Sequence, residues 1–313
     1  MPEGDTIYRT ARALQKALAG KIVSAFETGV AKLASVDDDS PVAGRTVEKV
    51  EARGKWCLIF FSGDLILVSH MLMSGSWHIY RAGEKWMLPH SRMRVALRVE
   101  ANASSGDAFE AVLFNAQIAE FHTARSLERS SQVPKLGLDV LSDTFTPEAG
   151  VDALRRYAQS HPDVELGVTL LNQRVLAGLG NVYKSEVAFA AGVNPFRHLS
   201  TLTERELAAM TEFAQRYMKA NVQDGSSEGI VTYSGNRRTT HSMNAGERLW
   251  VYGRQGEECR RCGALIERRL QGEQARPTYW CPQCQPWIAA EGQSSKAPVG
   301  RATTRGPRRR TGC

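Results

Sequence analysis

Two sets of residues in this chain could do chemistry. The first is four cysteines near the C-terminus, Cys259-x2-Cys262 and Cys281-x2-Cys284, with 18 residues between the pairs. Each pair can turn two thiolates onto one ion, and the two pairs together close the tetrahedral shell of a single structural zinc, Zn2+. Two disulfides or free thiols are the competing readings, and the absence of a secretion-signal pattern weighs against the disulfides. The second set lies at the other end, in Met1-Pro2-Glu3-Gly4. Removal of the initiator methionine leaves Pro2 with a free secondary amine, less basic than that of lysine. Attack of that amine on an aldehyde-level carbon gives an iminium directly. Glu3 is placed to move the protons. The plain alternative is that Pro2-Glu3 only begins a helix, as proline and acidic residues often do.

The elements that position these groups can be read from periodicity. A helix is expected over 5–19, with Asp5 as N-cap, Ile7, Ala11, Leu14 and Leu18 on one face, and Gly20 as a stop. Apolar runs at 22–28, 46–52, 56–61, 65–71, 77–80, 92–99, 109–115 and 118–121, separated by Gly, Asp, Ser and Asn, predict a sandwich or barrel of about eight strands. From Thr146 the period becomes helical, with helices opening at Pro147-Glu148 and expected over 167–176, 181–191 and 203–222. Between the second and third of these, Ala177-Gly178-Leu179-Gly180-Asn181 is a turn that could present backbone N–H groups to a phosphate, although most such turns only reverse the chain. Strands at 247–252 and at Tyr279-Trp280 would frame a zinc-bound hairpin, too small to fold without its metal.

Composition bounds the class. With 313 residues, 42% of them hydrophobic, the chain can bury two substantial cores beside the zinc unit. No run reaches the length of a membrane span, so no membrane association is expected and a cytoplasmic protein is. Of the formal charge of +7, residues 288–313 supply +5, through Lys296, Arg301, Arg305, Arg308, Arg309 and Arg310 against Glu291. That low-complexity tail reads as disordered. A nucleic-acid surface on the nearly neutral body must come from local clusters such as Arg237-Arg238, Arg260-Arg261 and Arg268-Arg269, each of which is equally well explained as solvated surface.

Four motifs occur in order: Pro2-Glu3-Gly4; Arg53-Gly54-Lys55 before an apolar strand; Gly178-Leu179-Gly180-Asn181; and Arg276-Pro277 ahead of Tyr279-Trp280-Cys281-Pro282-x-Cys284. Together they resemble the formamidopyrimidine-DNA glycosylase and endonuclease VIII family of base-excision repair enzymes, over residues 1–287. The resemblance implies a multidomain α+β fold: a catalytic N-terminal β-sandwich with its helix (1–125), a linker (126–145), a helix-two-turn-helix DNA-binding domain (146–244), a zinc-finger hairpin (245–287) and the basic tail (288–313). It implies a monomeric glycosylase and abasic-site lyase acting on damaged duplex or single-stranded DNA. Pro2 would attack C1′ and Glu3 would protonate the sugar ring oxygen. Lys55, Asn181 and Arg276 would hold backbone phosphates. Met73, in a segment 69–75 that resembles the family's intercalation loop, would fill the gap left by the flipped nucleotide.

Two departures narrow the inference. Thr6 stands where many family members carry a glutamate, and 115–125 lacks the Arg-x-Phe pair of the oxoguanine-specific branch. The pattern Arg276-Pro277-x-Tyr279-Trp280-Cys281 favours the endonuclease VIII branch and oxidised pyrimidines. An oxidised-purine glycosylase and a non-catalytic zinc protein that binds nucleic acid are the alternatives, and the second has no use for a prolyl amine beside a carboxylate.

Overall fold

The computed structural model describes residues 2–101, 108–129, 133–223, 239–240 and 248–288. Helix α1 (Gly4–Leu18) buries Ile7, Ala11, Leu14 and Leu18 along one stripe, as its period demands. Its N-cap lies two residues earlier than the sequence suggests. Glu3, not Asp5, occupies the N-cap position, and Asp5 sits inside the first turn, where the helix dipole favours an acid.

Eight strands follow: β1 (Val23–Thr28), β2 (Val47–Arg53), β3 (Trp56–Phe61), β4 (Leu65–His70), β5 (Ser76–Arg81), β6 (Met93–Val99), β7 (Phe109–Phe114) and β8 (Ile118–His122). They form two four-stranded antiparallel sheets, ordered β1-β6-β7-β5 and β2-β3-β4-β8. Ile59, Leu67, Val95 and Leu113 share a core with Ile7 and Leu14 of α1, and Cys57 is buried there as an ordinary apolar residue. The register places His70 opposite Ile118 and Ser76 opposite Phe114, so the 71–75 turn and the 115–117 turn emerge at the same end of the sandwich. Helix α2 (Ala31–Asp39) was not legible in the sequence, because only Leu33 is buried and one apolar anchor makes no period.

The region read as a linker carries structure of its own. It includes the end of α3 (Ala124–Arg129) and the short strand β9 (Leu138–Asp139). The helical half then comprises α4 (Pro147–Ser160), α5 (Leu166–Leu171), α6 (Asn181–Ala190) and α7 (Glu204–Gln223), packed around Leu154, Leu170, Val187, Met210 and Met218. The helix expected over 167–176 stops at Leu171. The Asn172 side chain accepts from Arg174 N–H at 3.0 Å, making a local turn that competes with the helix, and β10 (Leu176–Ala177) instead pairs in parallel with β9.

The C-terminal hairpin is also built differently from the expectation. Its strands are β11 (Glu267–Gln271) and β12 (Arg276–Trp280), both between the two cysteine pairs. Residues 248–252 form no strand, because the N–H groups of Trp250, Val251 and Tyr252 donate to the buried carboxylate of Glu186 at 2.8 to 2.9 Å and are unavailable to a ladder. Of residues 223–244, at the end of the domain expected over 146–244, only 223 and 239–240 fall within the described residues, so Arg237-Arg238 and residues 289–313 of the basic tail lie outside them. Among the described residues no helix is long and apolar enough to cross a membrane.

Candidate active site and metal centre

Helix α6 organises the site. Its N-terminal amides are free of intrahelical partners by construction and attract an anion. That anion is Glu3 rather than an external phosphate: Val182 N–H donates to Glu3 Oε1 at 2.9 Å and Tyr183 N–H to Oε2 at 3.4 Å. The Glu3 side chain is fully buried (0% exposed). The glycines of the preceding turn make this approach sterically feasible. A Cβ on Gly180 would lie 2.2 Å from Glu3 Cδ, and one on Gly4 would lie 2.7 Å from Gly178 Cα. Gly4 N–H closes the junction by donating to the Gly178 carbonyl at 2.9 Å. Pro2, half-buried, precedes this anchored carboxylate in the chain.

The β2–β3 turn reaches the same junction. Gly54, at φ +58°, gives its N–H to Asp139 Oδ2 at 2.6 Å and packs beside Ala177 and Gly178, which sets the next residue, Lys55, at the boundary of the two halves. Burial holds the Asp139 carboxyl above its ordinary range, against the Gly54 and Leu141 amides that lower it. Lys55 lies close enough to His70 for its charge to lower the imidazole. Burial, and then Lys55, bring His70 down to about 4, so the ring is neutral near pH 7.

His70 in turn shapes the 71–75 loop. Its Nδ1 accepts from Leu72 N–H at 3.0 Å, and Leu72 takes φ +48°. Met71 is buried while Met73 is 67% exposed at the tip. Of the sequence-predicted residues, Met73 is therefore the one fully presented to solvent.

Asn181 and Arg276 meet at the hairpin. Asn181, 4% exposed, donates through Nδ2 to the Pro277 carbonyl at 2.9 Å, and its Oδ1 is buried with no hydrogen-bond partner among the described residues. Arg276 is half-buried, its guanidinium resting on Gln274 Oε1 at 3.1 to 3.2 Å. A cavity of about 510 Å3 opens beside it, lined in part by Gln173, Arg174, Lys184, Gln271 and Arg276. Pro2 and Glu3 do not line that cavity, which belongs to the hairpin side of the site.

The four cysteine sulfurs all lie within 4.8 Å of one another. The sulfurs of Cys259 and Cys284 are 3.9 Å apart and those of Cys262 and Cys281 3.4 Å, and none of the four is joined in a disulfide. A tetrahedron with zinc–sulfur bonds of about 2.3 Å has edges of about 3.8 Å, so the donor set and its spacing fit that ion. Glu186, His70, Asp139 and Lys184 went unrecognised in the sequence. Each is one polar residue within an ordinary helix or strand pattern, and its role depends on partners remote in the chain.

Family models match this chain twice: the formamidopyrimidine-DNA glycosylase N-terminal domain over residues 1–112 and the formamidopyrimidine-DNA glycosylase H2TH domain over residues 136–232. A "Probable endonuclease 8 2" of Streptomyces coelicolor is 36% identical over 288 residues, covering 91% of this chain and 94% of that protein. A protein of Mycolicibacterium smegmatis named "DNA-(apurinic or apyrimidinic site) lyase Nei2" is 35% identical, covering 91% and 99%. Among solved structures, Lactococcus lactis Fpg in complex with DNA containing an abasic site superposes with a TM-score of 0.72 at 20% identity, covering 91% of this chain and 99% of that one.

Proposed function

This chain belongs to the formamidopyrimidine-DNA glycosylase and endonuclease VIII family, and from that premise we propose that it is a bifunctional glycosylase and abasic-site lyase whose substrates are oxidised pyrimidines in DNA. The observation that carries the catalytic reading is the fixed carboxylate of Glu3 immediately after Pro2, held by two backbone amides at a helix N-terminus. The pyrimidine preference rests on the missing Arg-x-Phe pair and on relatives named endonuclease 8.

The reaction follows from the groups in place. A base inside a duplex is out of reach of an amine at a domain junction, so the nucleotide is rotated out of the stack into the cleft between the sandwich and the helical half. The Pro2 nitrogen forms a bond to C1′ while the bond from C1′ to the base breaks. The departing base takes a proton from solvent, and the Glu3 carboxylate takes the proton that the Pro2 nitrogen loses on bonding and passes it to the ring oxygen, which opens the sugar and leaves the iminium. The iminium acidifies C2′, loss of that proton expels the 3′ phosphate, and a second elimination expels the 5′ phosphate. Lys55, Asn181 and Arg276 hold backbone phosphates, and Met73 enters the vacated stack. Cys259, Cys262, Cys281 and Cys284 would hold the zinc, which would tie the two ends of the hairpin together and take no part in the reaction.

A lesion panel with Glu3→Gln as the comparison tests this reading. The wild-type protein should excise oxidised pyrimidines in preference to oxidised purines, and Glu3→Gln should lose excision while still cutting a preformed abasic site in part. Preferential excision of purines would move the protein to the sister branch. Equal loss of both activities in Glu3→Gln would remove the assigned division of labour.

A further inference from the structure

Lys184 lies on α6 between Asn181 and Glu186 and is 0% exposed. Its Nζ donates to the Pro277 carbonyl at 3.2 Å and to Thr278 Oγ1 at 2.6 Å. The Pro277 carbonyl is the same oxygen that accepts from Asn181 Nδ2. Thr278 Oγ1 donates onward to Gln271 Oε1 at 2.8 Å, and Gln271 Nε2 donates to Glu165 Oε2 at 2.7 Å, so the ammonium closes a buried chain from α6 through both hairpin strands to the N-cap of α5. Burial, and after it the Arg276 guanidinium, hold Lys184 down to about 7, although Glu3 and Glu165 act in the opposite direction.

For stability alone this is a poor choice of residue. A fully buried ammonium facing an arginine incurs desolvation and repulsion, and an apolar side chain of similar volume is often neutral or stabilising in such a place. Its placement is better explained by what it holds. Three successive residues of β12 are fastened to α6, through Asn181 and Lys184 on Pro277, Lys184 on Thr278, and Ser185 Oγ on Tyr279 N–H at 3.3 Å. The neighbour of that fastened segment is Arg276, and the N-terminus of the same helix holds Glu3.

We propose that Lys184 is a positioning residue: it clamps the Arg276-Pro277 end of the hairpin onto α6, so that Arg276 and Asn181 grip one DNA strand together. The proposal rests on the reading above that Arg276 contacts a backbone phosphate. A double-mutant cycle on full-length zinc-loaded protein tests it, using Lys184→Met, Arg276→Ala and both together, with binding to duplex carrying a tetrahydrofuran abasic analogue and single-turnover cleavage at saturation. Lys184→Met should weaken binding by roughly tenfold, about the effect of a coupling near the middle of the range for interacting residues, with little change in the saturated rate and no loss of thermal midpoint. In the Arg276→Ala background it should add almost nothing.

If Arg276→Ala leaves binding unchanged, the phosphate reading of Arg276 fails. If Arg276→Ala weakens binding and Lys184→Met does not, or if their effects simply add, Lys184 does not act through Arg276 and the proposal is overturned. A lowered thermal midpoint with unchanged binding would make Lys184 a structural residue only and overturn it equally. Should Lys184→Met not fold, the same cycle with Lys184→Gln, which keeps an N–H for the Pro277 carbonyl, gives the same discrimination, and additive effects there also overturn the proposal.

Discussion

Replacing Gly180 by alanine is the sharpest perturbation of the proposed role of Glu3, because it acts on that carboxylate without changing it chemically. Gly180 has φ −127° and ψ −163°, an extended conformation that alanine adopts freely, so any effect is steric and not a backbone penalty. The new methyl would lie 2.2 Å from Glu3 Cδ, 2.5 Å from Cγ and 2.6 Å from Oε1, where ordinary contact begins at 3.4 Å. The carboxylate must therefore retreat by roughly 1 Å, a displacement that can cost on the order of 100-fold in rate, or about 2.7 kcal/mol. Any such retreat stretches or breaks its hydrogen bonds from the Val182 and Tyr183 amides. Strain from the inserted methyl should lower stability by about 1 to 3 kcal/mol, within what a folded domain tolerates. The assay is single-turnover excision from an oxidised-pyrimidine duplex beside strand cleavage of a preformed abasic duplex, with thermal melting as the folding control. Excision should fall about 100-fold, and cleavage of the abasic duplex much less. Excision within twofold of wild type, or equal loss of both activities in a folded protein, would refute the assignment of Glu3.

Three further outcomes are expected. Met73→Ala should slow excision from duplex more than from single-stranded DNA carrying the same lesion, since unpairing and unstacking cost a few kcal/mol only where a partner strand must be held off; equal slowing of the two single-turnover rates would make Met73 a packing residue. Elemental analysis should find one zinc per chain, and Cys284→Ser should lose it, misplace Arg276 and weaken DNA binding while the sandwich core stays folded; native protein without zinc would contradict the four-sulfur assignment. The third concerns acid. His70 is lowered from 6.5 to about 4, so between those pH values the unfolded chain carries a proton that the folded chain does not. Its contribution is complete above pH 6.5 and is lost toward pH 4 by up to about 1.4 kcal/mol per unit, less in so far as solvent reaches the ring. Urea midpoints of wild type and His70→Gln should therefore converge on acidification, and parallel midpoints from pH 7 to pH 4.5 would contradict this.

The sequence made the sandwich legible because its strands are short apolar runs bounded by turn residues, and β3 was read to the residue at Trp56 and Phe61. It made the four-cysteine cluster legible, because that pattern is distinctive by itself, and the structure gathers those sulfurs within 4.8 Å of one another; Pro2-Glu3 alone reads equally as a helix start and becomes a candidate only beside the other three motifs. What it could not show are contacts closed across the chain. Glu3 and Val182 are 179 positions apart, and nothing in Gly178-Leu179-Gly180-Asn181 says that the anion at that helix end comes from the N-terminus. The strand expected at 247–252 has a β-like composition, but in its described part the amides of Trp250, Val251 and Tyr252 are claimed by Glu186, a single acid on a helix some 60 residues earlier. Lys184 reads in sequence as an ordinary helix lysine, and only the packing of β12 against α6 reveals it as buried.

The central claim is that the Pro2 amine forms the covalent intermediate beside the fixed carboxylate of Glu3. Borohydride reduction of the protein on abasic-site DNA, followed by proteolysis and mass spectrometry of the adduct, tests it most directly, with a second preparation in which an N-terminal extension blocks that amine. The mature protein should yield one reduced adduct on the nitrogen of Pro2, and the blocked protein should yield none. An adduct mapped to a lysine such as Lys55, or full trapping by the blocked protein, would contradict the account.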